Sequence, residues 1–333
     1  LRSGVRTEET NLGDLTADAN LWRARQTDPT VVISLKNGGG IRDAIGAYSS
    51  VGGQATPIPP PANPRVGKLE GEVSQLDIEN SLRFNNALTL ITLTAQQLRD
   101  TMEWAVAGSG TPGQYPQVSG ILFSYIPTNK PLTYVRDSAA LPIRIDFPGE
   151  RLQNLVVLRP DESQDLVVEN GALVGDPNRT FRMVTLNFLA GGGDSYLPIS
   201  QGTERLELVA PGTTMAFDTD GGEQRALAEY LKAIQVYTQS DTPASEDLRI
   251  QNLSRRGDVV LAPLVRRIDA PSPSTRLTFR TLPGRTYAAE SKETIDGVWT
   301  RLPLQAQGTG TLRELIDTRP PSDQRYYRIV VIQ

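Results

Sequence analysis

Val31-Val32-Ile33-Ser34-Leu35-Lys36-Asn37-Gly38-Gly39-Gly40-Ile41-Arg42-Asp43 is the stretch that decides how this chain folds. Its first half is apolar and β-branched without alternation, the pattern of a strand buried on both faces. Three consecutive glycines then remove every side chain from the strand's exit. Backbone there can approach a ligand closely and adopt positive φ without steric cost. An amide at Asn37, a guanidinium at Arg42 and a carboxylate at Asp43 flank the gap. Taken alone, this is equally a tight turn with a charged rim.

A second stretch repeats the arrangement. Phe181-Arg182-Met183-Val184-Thr185-Leu186 reads as a strand, and it exits through Asn187-Phe188-Leu189-Ala190-Gly191-Gly192-Gly193-Asp194-Ser195-Tyr196. The chain thus passes twice from strand to glycine triplet to carboxylate, the second time with an aromatic before the glycines. Two such loops, both carrying ligand-type side chains, point to a shared pocket.

Between them lies Arg83-Phe84-Asn85-Asn86, at the end of a short helix and before another strand. The three motifs in order, N-G-G-G-I-R, F-x-N-x-L and N-F-x-A-x-G-G-D, resemble the C-terminal domain of the 5'-nucleotidases. That family includes UDP-sugar hydrolases, cyclic-nucleotide phosphodiesterase/3'-nucleotidases and ecto-5'-nucleotidases. The resemblance covers about residues 1–262, opening with Arg6 and Asn11-Leu12-Gly13-Asp14-Leu15. The sequence departs from the family at Arg83, where a proline usually precedes the phenylalanine, and at Gly191, where a polar residue is common.

The resemblance implies a nucleotide site. Phe84 and Phe188 match the pair of rings that sandwiches the base, and base–aromatic stacking contributes about 1–3 kcal/mol. An isolated phenylalanine is ordinarily a core side chain, but glycine- and asparagine-rich loops are seldom buried. Asp194 suits the ribose diol, though a turn carboxylate also caps backbone N–H groups. Arg42 and Arg6 suit phosphate oxygens, which a guanidinium grips bidentately; each is otherwise a surface ion-pair partner. Asn37 suits a base edge or sugar. Asn86 and the glycines Gly39, Gly40, Gly192 and Gly193 complete the substrate-binding set. No catalytic residue is expected in this chain.

Composition limits the chemistry. The chain has 333 residues, no cysteine and no histidine. Disulfides, thiol catalysis, imidazole bases and imidazole metal ligands are excluded. The family's two divalent metals sit on Asp, His and Asn ligands of a separate N-terminal metallophosphoesterase domain, which this chain is expected to lack. It opens close to a helix start and reads as a piece of a longer protein. It is therefore expected to bind nucleotide or nucleoside and to hydrolyse nothing alone. The net charge of −4 has no long basic run, so no nucleic-acid polymer is expected as partner. No apolar stretch reaches the length of a membrane span. The family context implies an extracytoplasmic bacterial protein.

Taken in order, the sequence is a mixed α+β domain followed by a small all-β unit. Leu12 to about Arg25 reads as a helix with Leu12, Leu15, Ala19 and Trp22 on one stripe. Five prolines between Ala55 and Pro64 predict an exposed loop. Ser74 to Asp77 and Thr94 to Gln97 are capping boxes, the second opening a helix that Gly108 should end. Ala87–Leu93, Ile121–Ile126, Ile143–Phe147 and Leu152–Leu158 read as strands, and Pro127–Pro142 as an irregular excursion. Glu223–Val236 is an amphipathic helix. The boundaries drawn are a nucleotide-binding domain over 1–262, a Pro/Ser-rich linker over 263–274, and an antiparallel β module over 275–333. That module resembles the β-sandwich modules appended to secreted bacterial enzymes. Residues 263–333 carry a net charge of +4 against −8 for residues 1–262, which ordinary surface scatter accounts for most simply. Two further readings stay open: a non-enzymatic binding or adhesion module on the same scaffold, and a family variant acting on cyclic nucleotides or nucleotide sugars.

Overall fold

The computed structural model describes residues 4–51, 53–161, 163–263, 265–269, 274–319 and 324–332. Val31–Asn37 is a strand buried along its whole length. It occupies an inner position in a five-stranded sheet ordered Thr203–Glu207, Leu88–Thr94, Thr180–Leu186, Val31–Asn37, Pro116–Ser119. Val31–Asn37 and Thr180–Leu186 run parallel, while Leu88–Thr94 and Pro116–Ser119 run antiparallel to their neighbours. A continuous apolar run is what a strand covered on both sides requires. Here the cover comes partly from the helix Asn11–Thr27 and partly from a second sheet.

That second sheet is ordered Ala172–Leu173, Gln164–Glu169, Leu152–Leu158, Ile121–Tyr125, Ile250–Asn252. Ile33, Leu90, Leu98, Met102, Phe123, Leu155 and Met183 belong to one buried cluster spanning both sheets and the helix Ala95–Ala105. The helices start where their caps dictate. Thr10 accepts from Gly13 N, and Ser74 and Thr94 each form both halves of a capping box. The apolar stripe of Asn11–Thr27 packs Leu15 and Ala19 against Leu227 of the helix Glu223–Ile234. Trp22 lies beside it, half-buried, with its ring 5.8 Å from that of Tyr230.

Four local readings change. The helix expected to run to Gly108 ends at Ala105. The Arg151 guanidinium donates to the carbonyls of Val106 and Gly108, so a side chain from just before the strand Leu152–Leu158 satisfies the helix end in place of a glycine cap. Pro127–Pro142 is not irregular throughout: Thr133–Arg136 forms a hairpin with Pro142–Phe147. The β-branched and aromatic run Thr133-Tyr134-Val135 favours a strand despite the flanking prolines. In the proline-rich stretch, Gln54–Ile58 pairs with Ala47–Val51 as a two-stranded ribbon with open edges, where a residue lacking N–H is tolerated. Val265–Asp269, inside the stretch read as linker, is a strand against Thr275–Arg280; residues 264 and 270–273 of that stretch lie outside the described residues.

The C-terminal residues form two three-stranded antiparallel sheets. Leu277, Phe279, Tyr287, Ala289, Leu302 and Ile329 share a separate hydrophobic cluster there. Between this region and the second sheet, Arg285 pairs with Glu169, and Gln164 N donates to Gly310 O at 2.7 Å.

Candidate functional site

Sheet topology brings the three motifs together. Val31–Asn37 and Thr180–Leu186 are parallel, so both glycine loops leave from the same sheet edge. Leu88–Thr94 is antiparallel to Thr180–Leu186, with Leu186 opposite Leu88, so the segment before Leu88 enters at that edge too. Asn37 faces Pro116, which adds residues 113–115 to the group. Loops at the carboxyl ends of adjacent parallel strands are where α/β sheets place ligand sites.

The two carboxyl-end loops are joined by one bond. Asn37 Nδ2 donates to Asp194 Oδ2 at 2.6 Å. The carboxylate accepts only, so it fixes which way the amide points, and Asn37 Oδ1 is left buried without a partner. The first triplet is tightly packed, and at Gly38 no other residue fits. A Cβ on Gly38 would lie 1.7 Å from the Val5 carbonyl oxygen, and one on Gly39 3.0 Å from that of Gly113. Gly38 N donates to Tyr115 O and Gly39 N to Gly113 O, so this loop is buried and hydrogen-bonded. Gly40 is buried beside Asn37 Oδ1.

The second triplet turns in left-handed conformation. Gly192, Asp194 and Ser195 have φ of 88°, 50° and 61°. Asp194 and Ser195 thereby occupy a region that side chains disfavour. Besides the Asn37 bond, side chains from two other elements hold it. Trp104 Nε1 donates to Asp194 O at 2.9 Å, and Arg136 Nη1 donates to Ser195 Oγ at 3.2 Å. Tyr196 is fully buried and its hydroxyl donates to Gln114 O; burial raises its pKa well above the usual phenol value.

Phe84 is 60% exposed and Phe188 45% exposed, both unusual for phenylalanine. The Phe188 ring lies against Gly193, where a Cβ would be 2.5 Å from ring carbons. The Arg42 guanidinium carbon sits 5.5 Å from the Phe84 ring centroid, and Arg42 Nη1 donates to Gly39 O at 3.1 Å. Behind Phe84 is a buried network. Glu223 Oε1 accepts from both Asn86 N and Asn86 Nδ2, and Glu223 Oε2 accepts from Lys36 Nζ at 2.9 Å. Asn86 thus anchors the loop that carries Phe84, and its amide nitrogen is committed to Glu223.

Arg6 takes a different course. Its Nη1 donates to Thr111 O at 3.3 Å. With Arg151, Arg255, Tyr115 and Tyr125 it lines a cavity of about 300 Å³. Sequence reasoning missed Trp104, Arg136, Lys36 and Glu223. Lys36 sits in the strand that was read, and its charge amid apolar neighbours was the available signal. Trp104 and Arg136 gave none, because each reaches the loop only through tertiary packing. The metals that the family implies find no ligand set here: the sequence has no histidine, and the described residues contain no group of three or more His, Cys, Asp or Glu placed to hold an ion.

Residues 2–200 match the family model described as 5'-nucleotidase, C-terminal domain. Over 197 residues, 59% of this chain, the sequence is 27% identical to the trifunctional nucleotide phosphoesterase protein YfkN of Bacillus subtilis strain 168. A crystal structure of a 5'-nucleotidase precursor from Thermus thermophilus superposes over 76% of this chain with a TM-score of 0.50 and 23% identity, a likeness of fold. The chain spans 10% of the Bacillus protein and 37% of the Thermus chain.

Proposed function

This chain belongs to the 5'-nucleotidase C-terminal domain family, and from that membership we propose that residues 1–262 recognise the nucleotide for a phosphoesterase whose metals lie in another domain. The observation that carries the reading is the pair of exposed rings, Phe84 and Phe188, leaving neighbouring strand ends beside Arg42 and Asp194. Two rings on separate loops can take a base between their faces. The Asp194 carboxylate can accept from adjacent hydroxyls, and Arg42 can meet phosphate oxygens. The relative described as a nucleotide phosphoesterase supports a nucleotide as the ligand.

The test is titration of adenosine and AMP against wild type, Phe84→Ala, Phe188→Ala and Arg42→Ala, with a melting curve for each. Each ring deletion should weaken adenosine by about 1–3 kcal/mol and cost far less stability than the roughly 3–5 kcal/mol of deleting a buried phenylalanine. Arg42→Ala should weaken AMP more than adenosine. Large melting losses with unchanged adenosine affinity would place the rings in a structural role and end the reading. The chain alone should release no phosphate from AMP with added Mn²⁺ or Zn²⁺; turnover that persists through repurification and is abolished by EDTA would contradict this. Among the described residues no helix is long and apolar enough to cross a membrane. Export from the cytoplasm is part of the proposal, and fractionation of the source cells tests it.

A further inference from the structure

The turn that carries Asp194 is not self-supporting. Three of its four residues have left-handed φ, two of them with side chains. Within the turn, Ser195 N reaches Gly192 O at 3.1 Å and Tyr196 N reaches Gly193 O at 3.2 Å. Such backbone persists where surrounding structure over-determines it. The surroundings here come from two elements remote in sequence. Trp104, in the last turn of the helix Ala95–Ala105, donates its one polar hydrogen to Asp194 O. The hairpin of Thr133–Arg136 and Pro142–Phe147 then closes over the indole. Tyr134 lies 4.6 Å from it, centroid to centroid, and the Arg136 guanidinium carbon lies 5.9 Å from both rings. Arg136 Nη1 bridges Ala140 O at 2.7 Å to Ser195 Oγ at 3.2 Å, locking the hairpin tip to the turn. On its far side the Asp194 carboxylate is held by Asn37. Backbone and side chain of one residue are thus each fixed by a different element.

We infer that Trp104 and Arg136 are positioning residues for Asp194, and that through them the hairpin sets a preference for ligands bearing an intact ribose 2',3'-diol. This rests on the nucleotide-recognition reading above. A carboxylate selects two adjacent hydroxyls over none only if its plane is held, because a mobile carboxylate turns to water and loses the discrimination. Trp104 and Arg136 touch no ligand in this scheme. They act on the diol contact and leave stacking on Phe84 and Phe188 unaffected.

The experiment compares adenosine with 2',3'-dideoxyadenosine, which keeps the base and lacks both hydroxyls, on wild type, Trp104→Phe and Arg136→Ala. Trp104→Phe keeps a ring against Tyr134 and removes the N–H. Amide hydrogen exchange at Ser195 and Tyr196 is followed on the same three proteins. Wild type should bind adenosine at least about tenfold tighter than the dideoxynucleoside, the scale of losing hydrogen bonds to a charged group. Trp104→Phe should bring the ratio toward one by weakening adenosine, leave the dideoxynucleoside within about twofold of wild type, and speed exchange at both amides. Arg136→Ala, a change on an exposed hairpin, should do the same to a smaller extent. An unchanged ratio with unchanged exchange in Trp104→Phe overturns the inference. If wild type binds neither nucleoside, the recognition reading fails. Exchange then decides alone: protection lost in both variants upholds the positioning role, and protection kept removes it.

Discussion

Replacing Lys36 by Met should cost far more than its place on a strand suggests. Lys36 and Glu223 are both fully buried, 2.9 Å apart, with no exposed side chain in the pair. Breaking a buried ion pair by removing one partner leaves the other as an uncompensated charge, at about 3–5 kcal/mol; an exposed pair is worth under about 1 kcal/mol. With about 2.1 cal/mol/K per residue of unfolding entropy and roughly 260 residues unfolding together, the loss lowers Tm by roughly 5–9 °C. Lys36→Met with Glu223→Gln should be less damaging than Lys36→Met alone, because the glutamine carbonyl can still accept from Asn86 and no charge is stranded. Site and stability should also separate. Lys36→Met leaves both Asn86 bonds to Glu223 in place, so adenosine affinity below the melting range should hold. Glu223→Leu releases Asn86 and with it the Phe84 loop, and should weaken adenosine. Differential scanning calorimetry and titration measure the two effects. A Tm within about 2 °C of wild type for Lys36→Met, the range of an exposed pair, would show that the pair does not hold this edge. A double variant as damaging as the sum of the singles would refute the stranded-charge argument.

Gly193→Ala should weaken adenosine by an amount comparable to Phe188→Ala, because its Cβ would stand 2.5 Å from the Phe188 ring and push it aside; unchanged affinity would show that the ring does not need that seat. Stability should fall as pH rises toward 8. Burial, opposed by Arg249 and reinforced by Glu9 and Asp18, pushes Asp14 up to about 8, and burial beside Glu9 pushes Asp247 up to about 7. Both carboxyls are protonated in the fold at pH values where the unfolded chain has released those protons. Their contribution is complete below about pH 4 and is lost as pH passes through 7 and 8. Asp14→Asn should flatten this decline in urea midpoints measured from pH 5 to 9, and an identical slope would argue against it. A chain ending at residue 262 should unfold cooperatively and keep its adenosine affinity, since the contacts it loses to the tail are few and lie at the Gln164–Glu169 strand; loss of cooperative melting would make the C-terminal sheets part of one core.

The sequence by itself determined the family, the α+β class and the principal elements. Val31–Asn37 was readable because a strand covered on both faces must be apolar throughout. The helix starts at Ser74 and Thr94 were readable because capping is a local bond between residues three apart. Glycine triplets after strands marked two of the loops that gather at this sheet end, and Phe188, beside the second triplet, and Phe84, in a third loop, are both exposed. Tertiary structure alone decided what lies beyond one element's reach. The end of the helix Ala95–Ala105 depends on Arg151, more than forty residues further along the chain, so no residue near Gly108 could announce it. The strand Thr133–Arg136 within Pro127–Pro142 carries β-forming residues, but the run is too short to announce its partner, Pro142–Phe147. Asn37 and Asp194 are 157 positions apart and meet only because their strands run parallel. Trp104 and Arg136 looked like an ordinary helix residue and an ordinary surface cation. Their bonds to a strained turn exist only once the chain has closed, and chain closure leaves no period or motif in the sequence.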